Sequence, residues 1–164
     1  MDKILNRSDK VAFMEIGETD SKTLTRMRGF TELSVSKNPV EYSRRYVDEN
    51  AERSDVTGYA PSMSYAFDRF SDDAVHKEIV AISDGELTFD GAIRKIVVVD
   101  LSAPATTGGS SFNAVSRNFS IIPYSECDST DAYTYSGTMK ANGDFENIVV
   151  ESTDGWKTCT IKTA

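Results

Sequence analysis

His76 is the only histidine of the chain. Asp72 and Asp73 stand just before it, so metal binding or acid–base chemistry is the first chemistry its surroundings suggest. A zinc site needs three or four ligands, and no cysteine or second histidine stands at helical spacing from His76. That ligand count makes His76 an exposed or half-buried helix side chain. The acidic turn Glu126 to Asp131 (ECDSTD) could attract a calcium ion, but it lacks the glycine and the terminal glutamate of an EF-hand loop. It reads as a solvated turn. Cys127 and Cys159 are too few and too far apart for a disulfide framework or zinc motif. They read as reduced side chains in or near the core, with a single disulfide as the alternative. Gly108-Gly109 is followed by neither the lysine nor the helix of a phosphate-binding loop, and no GxSxG, HExxH or GxGxxG is present. No catalytic residue, cofactor or metal is expected.

The elements that carry these residues are almost all extended. Residues 1–28 have weak periodicity and read as an N-terminal arm with one short strand around Val11 to Ile16, leaving 29–164 as a single domain. From Thr31 the period is two, with Thr31, Leu33 and Val35 on one face and Glu32, Ser34 and Ser36 on the other. Asn38-Pro39 interrupts this strand. Val40 to Val47 is extended again, placing Tyr42, Arg44 and Tyr46 opposite Glu41, Ser43, Arg45 and Val47. Neither face is purely apolar, which is unusual for a strand over a monomer's core. Residues 48–55 (DENAERSD) form a polar tip with no apolar anchor, expected to be mobile in a free subunit. Ser62 to Asp68 alternates cleanly.

One helix is predicted over about 72–84, with Ser71 as N-cap, Asp72 and Asp73 in the first turn, and Gly85 closing it. Phe70 and Val75 would make a hydrophobic staple. Val75, Ile79 and Ile82 form its apolar stripe, while Lys77 and Glu78 face water. Ile93 to Leu101 reads as the central strand and 104–111 as a loop. Phe112 to Ile122 is a strand ended by Pro123. Tyr133 to Ala141 and Asp144 to Ser152 would be joined into a hairpin by Asn142-Gly143. Asp154-Gly155 would turn the chain into a last strand, Trp156 to Lys162. The total is about eight or nine strands and one helix. That makes the fold class mainly β, a β-sandwich or partly closed barrel with a flanking helix and a long hairpin-like excursion.

Composition narrows the function. With 26 acidic and 18 basic residues the net charge is −8, and a protein that grips nucleic acid needs a basic surface instead. A protein that surrounds DNA without holding it remains compatible. Between Glu126 and Asp154 stand seven acids and one lysine, a property of a surface. The N-terminus has no apolar signal region and no run reaches the length of a membrane span, so a cytosolic, non-membrane protein is expected.

The stretch Arg26 to Glu49 (RMRGFTELSVSKNPVEYSRRYVDE) resembles a major tail tube protein of phages that infect Gram-positive bacteria. The resemblance continues through DVTGYAPSMSYAFDRF (Asp55 to Phe70), DDAVHKEIVAISDGEL (Asp72 to Leu87), DSTDAYTYSGTMKANGD (Asp128 to Asp144) and DGWKTCTI (Asp154 to Ile161). It is specific through the order of its segments, since none of them is a catalytic signature. It implies a β-sandwich subunit that forms hexameric rings, which stack into a hollow tube. Neighbouring sheets would join into a continuous barrel whose lumen conducts viral DNA without binding it tightly. A tape-measure protein, a tail terminator and baseplate or initiator proteins would be its partners, with a sheath protein as a further candidate. It would sit in the virion tail after assembly in the host cytoplasm. The inner tube of a phage-derived bacteriocin is the alternative under the same resemblance.

Glu41, Arg44, Arg45, Tyr46, Asp48, Glu49, Glu52, Arg53 and Asp55 are the candidate subunit or lumen contacts. The rival from another class is a monomeric β-sandwich that binds carbohydrate or peptide, with Tyr133, Tyr135 and Trp156 as its aromatic platform.

Overall fold

Strands that read as unbroken apolar runs are buried on both faces, and the run at Ile96–Val99 accounts for the architecture. The computed structural model describes residues 2–18, 20–106, 109–127 and 129–162. Along the chain these residues form β1 (Lys10–Ile16), β2 (Thr23–Arg26), β3 (Phe30–Ser36), β4 (Pro39–Arg44), β5 (Arg53–Tyr59) and β6 (Ser62–Asp68). Then follow α1 (Ala74–Asp84), β7 (Ile93–Pro104), β8 (Ser111–Glu126), β9 (Thr134–Ala141), β10 (Glu146–Glu151) and β11 (Thr158–Ile161). The order β10-β11-β2-β1-β7-β8, with β8 returning to β10, closes a six-stranded barrel. Strands β9, β6 and β3 extend the sheet outward from β8, and β4 and β5 pair with each other alone.

Alternation along β1 and β7 separates two cores. Val11, Phe13, Val97 and Val99 fill the barrel with Leu24, Ala114, Val150 and Cys159. Met14 and Ile96, one residue out of phase, join the layer under α1 with Tyr65, Phe67, Ile121 and Met139. Trp156 closes the barrel, edge-on to Phe112 at 5.4 Å and 6.2 Å from Phe13. Residues 10–26 hold β1 and β2, where a single short strand was expected. They supply two strands to the barrel, and Phe13 and Met14 are fully buried.

Two expectations fail because β8 is long enough to pair twice on one edge. Residues 111–116 of β8 face β10, and residues 119–126 face β9. Strands β9 and β10 run in the same direction, end to end along that edge, so Asn142-Gly143 is no hairpin. It is the interruption where the chain passes from extension to barrel, with Phe145 held under Arg117. Pro123 does not end β8 either. It sits opposite Gly137 at a bulge, where a proline's missing donor is tolerated. The Asp154-Gly155 turn does join antiparallel neighbours, β10 and β11, although β11 begins at Thr158. Cys127 is exposed and Cys159 buried, both free.

Asp73, not Ser71, caps α1, accepting the Val75 and His76 N–H groups at 2.9 and 3.1 Å. The first turn therefore contains no acid. Phe70 is half-exposed against His76 and does not staple Val75. Val75, Ile79 and Ile82 are buried as the stripe requires, whereas Glu78 pairs with Arg94 at 2.7 Å.

His76 is fully buried, contrary to its expected exposure. Its Nδ1 accepts the Phe70 N–H at 3.0 Å, so the proton is on Nε2, which donates to the Arg28 carbonyl at 2.8 Å. The ring stacks on Phe67 at 4.3 Å. Burial lowers its pKa from the ordinary 6.5, against the opposing pull of the Arg28 carbonyl and Asp73. The folded protein thus keeps the ring neutral where the unfolded chain protonates it, and stability is lost as pH falls below about 6.5. We expect stability to fall with pH across this window, and to fall less steeply in His76→Gln. Denaturant midpoints at successive pH values test it, because no other side chain titrates there unperturbed. Equal slopes for the two proteins would exclude this role.

Candidate assembly surfaces

Strands β3 and β6 continue as β4 and β5, so residues 30–68 form one long hairpin with a joint at Asn38 and Ala60. Asn38 makes the joint. Its backbone takes the left-handed conformation (φ 47°), and its amide donates to the Ala60 carbonyl and the Ser62 hydroxyl. Beyond it the β4–β5 ribbon has both faces exposed, with only Arg44 and Gly58 half-covered.

The ribbon's register sorts the predicted contact residues. Tyr42 opposes Asp55, and Arg44 opposes Arg53, on one face. Arg44 pairs with Asp55, donates to the Tyr46 hydroxyl at 2.9 Å, and lies over the Tyr42 and Tyr46 rings. Arg53 also lies over the Tyr46 ring and forks onto Glu49 through two hydrogen bonds. Glu41 opposes Val56 on the other face, beside the linked Ser43 and Ser54 hydroxyls. Arg45, Asp48 and Glu52 are exposed near the end and have no ion-pair partner among the described residues. The tip carries contacts the sequence did not announce, since Glu49 and Arg53 meet only once the ribbon closes.

A second surface was not foreseen. In β8, β9, β6 and β3, residues directly opposite one another share a face. One row is Ser36, Ser62, Lys140 and Ser120, and the next is Ser34, Ser64, Thr138 and Ile122. The third is Glu32, Ala66, Ser136 and Ser125. Helix α1 packs on the opposite face, through Met63, Tyr65, Phe67, Tyr135 and Met139. The hydroxyl-rich face continues the interior side of the barrel where the sheet unrolls, and it ends at β3, the last strand of the sheet. The alternating serines of ELSVS and SMS were legible. The pairing that gathers them was not.

The rival aromatic platform does not exist. Tyr135 is buried against Phe67, Trp156 fills the barrel mouth, and only Tyr133 is half-exposed. The turn at 126–131 includes Asp128, outside the described residues. Among those described, no three histidine, cysteine or acidic side chains gather as a metal site.

No family model and no curated protein matches the chain by sequence. Its fold, however, occurs in solved structures. A chain from the tail of an empty gene transfer agent particle with C6 symmetry superposes with TM-score 0.62 at 17% identity, covering 87% of this chain and 98% of that one. A chain from the virion of a native gene transfer agent gives 0.60 at 15% identity, covering 88% and 98%. One from the baseplate of the anti-feeding prophage, 6-fold symmetrised, gives 0.54 at 9% identity, covering 90% and 97%. At these identities the likeness is one of fold.

Proposed function

We propose that this protein is the structural subunit of a phage-type tail tube, forming hexameric rings that stack into a conduit for DNA. The observation that carries the reading is the half-unrolled sheet. One part closes into a barrel, while the other ends at the open edge of β3 and leaves a broad hydroxyl face uncovered. An exposed edge invites pairing with another chain, and a closed ring of copies would satisfy every such edge at once. The fold shared with tail and baseplate chains supports the same reading. In the tube, the hydroxyl face would turn toward the lumen and the β4–β5 ribbon would reach a neighbouring subunit. A tape-measure protein, a terminator and a baseplate would define the ends. The role is mechanical, with no chemistry asked of any residue. Negative-stain microscopy of the purified protein at rising concentration tests it. Hollow tubes are expected, and a protein that stays monomeric throughout would overturn the proposal.

The ribbon yields a sharper expectation. Arg44 is already committed to Asp55 and Tyr46, whereas Arg45 is free to meet an acidic group on a neighbour. Arg45→Glu should leave stability within about 0.5 kcal/mol, as surface changes usually do, and should still suppress tube formation. Normal tubes from this variant would remove Arg45 from the contact.

A further inference from the structure

Phe89 is 90% exposed and occupies the left-handed region of backbone space (φ 52°). A bulky residue in that conformation is costly, and the barrel gains nothing from a ring that points into water. Leu87, two residues earlier, is 43% exposed, so the α1–β7 connection presents an apolar knob. Glu86 and Asp90 flank it, and neither has an ion-pair partner among the described residues.

A complementary socket lies elsewhere on the same chain. It is a groove of about 390 Å³ between the N-terminal segment and β3, with Leu5, Leu33, Val35 and Val98 among its walls. Among the described residues, its charged lining is Arg7 and Lys10 alone. Arg7 spends its donors on the carbonyls of Lys10 and Leu33, so its charge is not neutralised by a carboxylate. Knob and socket are set well apart along β7. Phe89 precedes the strand's first residue, and Lys10 pairs with Asp100, roughly 20 Å further along at 3.3 Å per residue. One copy cannot seat its own knob in its own groove.

We infer that the Leu87–Phe89 knob of one copy docks in the Leu5–Val35 groove of the next, with Glu86 and Asp90 against Arg7 and Lys10. Because the two patches differ, the contact is head to tail, closing into a ring where the rotation between copies allows and otherwise repeating along a filament. A tube of stacked rings uses contacts of this kind, and the inference rests on the tube reading to that extent. The unfavourable backbone at Phe89 is then explained by what the ring reaches in the neighbour.

Phe89→Gly separates docking from folding, since it deletes the ring and suits the left-handed backbone. Its melting temperature should equal or exceed that of the wild type. Its critical concentration for assembly should rise roughly tenfold or more, as for loss of a buried aromatic anchor. A lowered melting temperature would make Phe89 a folding residue and overturn the docking role. Assembly at the wild-type concentration would overturn the contact and leave the tube reading intact, whereas a wild type that never assembles would overturn both. The pairing itself is read by cross-linking. In a Cys127→Ser background, Asp90→Cys combined with Lys10→Cys, which leaves the ring in place, should give a ladder of disulfide-linked oligomers on mild oxidation, and neither single cysteine should. Assembled double variant without a ladder would overturn the assigned socket.

Discussion

Gly137→Ala is expected to destabilise the protein by about 3 kcal/mol, the upper end of the usual cost of overpacking, and to lower the melting temperature by roughly 10 °C. Gly137 lies in β9 between Pro123 of β8 and Tyr65 of β6. A Cβ there would come within 2.3 Å of the Ile122 carbonyl oxygen, 2.8 Å of the Tyr65 hydroxyl and 3.0 Å of the Pro123 Cα. Two of those three atoms are backbone in the stretch of β8 that is laddered to β9, so they cannot retreat without breaking hydrogen bonds of that ladder. The Tyr65 ring is itself fully buried, and its hydroxyl, buried without a protein partner, is pushed up in pKa by desolvation. Tyr65→Phe would relieve one of the three clashes and strand no donor. The double variant should therefore recover only part of the loss, because the Ile122 carbonyl still blocks the methyl group. Thermal melts of the two single variants and the double variant test this. An unchanged midpoint for Gly137→Ala would show that β8 yields more easily than its pairing implies.

The same region explains what the sequence could and could not convey. Period-two alternation is local, so β3, β6 and β9 were legible from Leu33/Val35, Met63/Tyr65/Phe67 and the run to Ala141. The stripe of α1 was legible for the same reason, with a period of 3.6. The partner of each strand is set by long-range register. Asn142-Gly143 has the local chemistry of a hairpin turn, yet β9 and β10 gain more by lining the long edge of β8 than by pairing with each other. His76 was misplaced because its two hydrogen-bond partners are backbone groups, one of them 48 residues away at Arg28. Likewise the ion pair of Arg44 with Asp55 was not legible, because it forms only in the ribbon's register. The hydroxyl face, which has most bearing on function, is spread over four separate strands and exists only after all of them have paired.

That face carries the other large expected effect. Ser34, Ser64 and Thr138 lie side by side on β3, β6 and β9, roughly 5 Å from strand to strand. They offer phosphate hydroxyls and bound water but no positive charge, on a chain whose net charge is −8. With Lys140 the one basic residue of the three rows, a conduit wall of this kind would let DNA slide, because it offers few of the lysine or arginine contacts that release counterions. Replacing all three residues with lysine should give the monomer salt-sensitive affinity for duplex DNA, in the range of about 10⁻⁴ to 10⁻⁶ M typical of non-specific binders. Three phosphate contacts predict a log–log salt slope near −3. The wild type should show no such binding at physiological salt. Position in the tube is then read by comparing states of the same variant. If the face lines the lumen, assembly hides the lysines from added duplex, and assembled tubes should bind it far more weakly than monomers do. If the face lies outside, every ring adds sites and tubes should bind more tightly through multivalency. Tighter binding by tubes would remove this face from the lumen and with it the account of why its residues are serines and threonines.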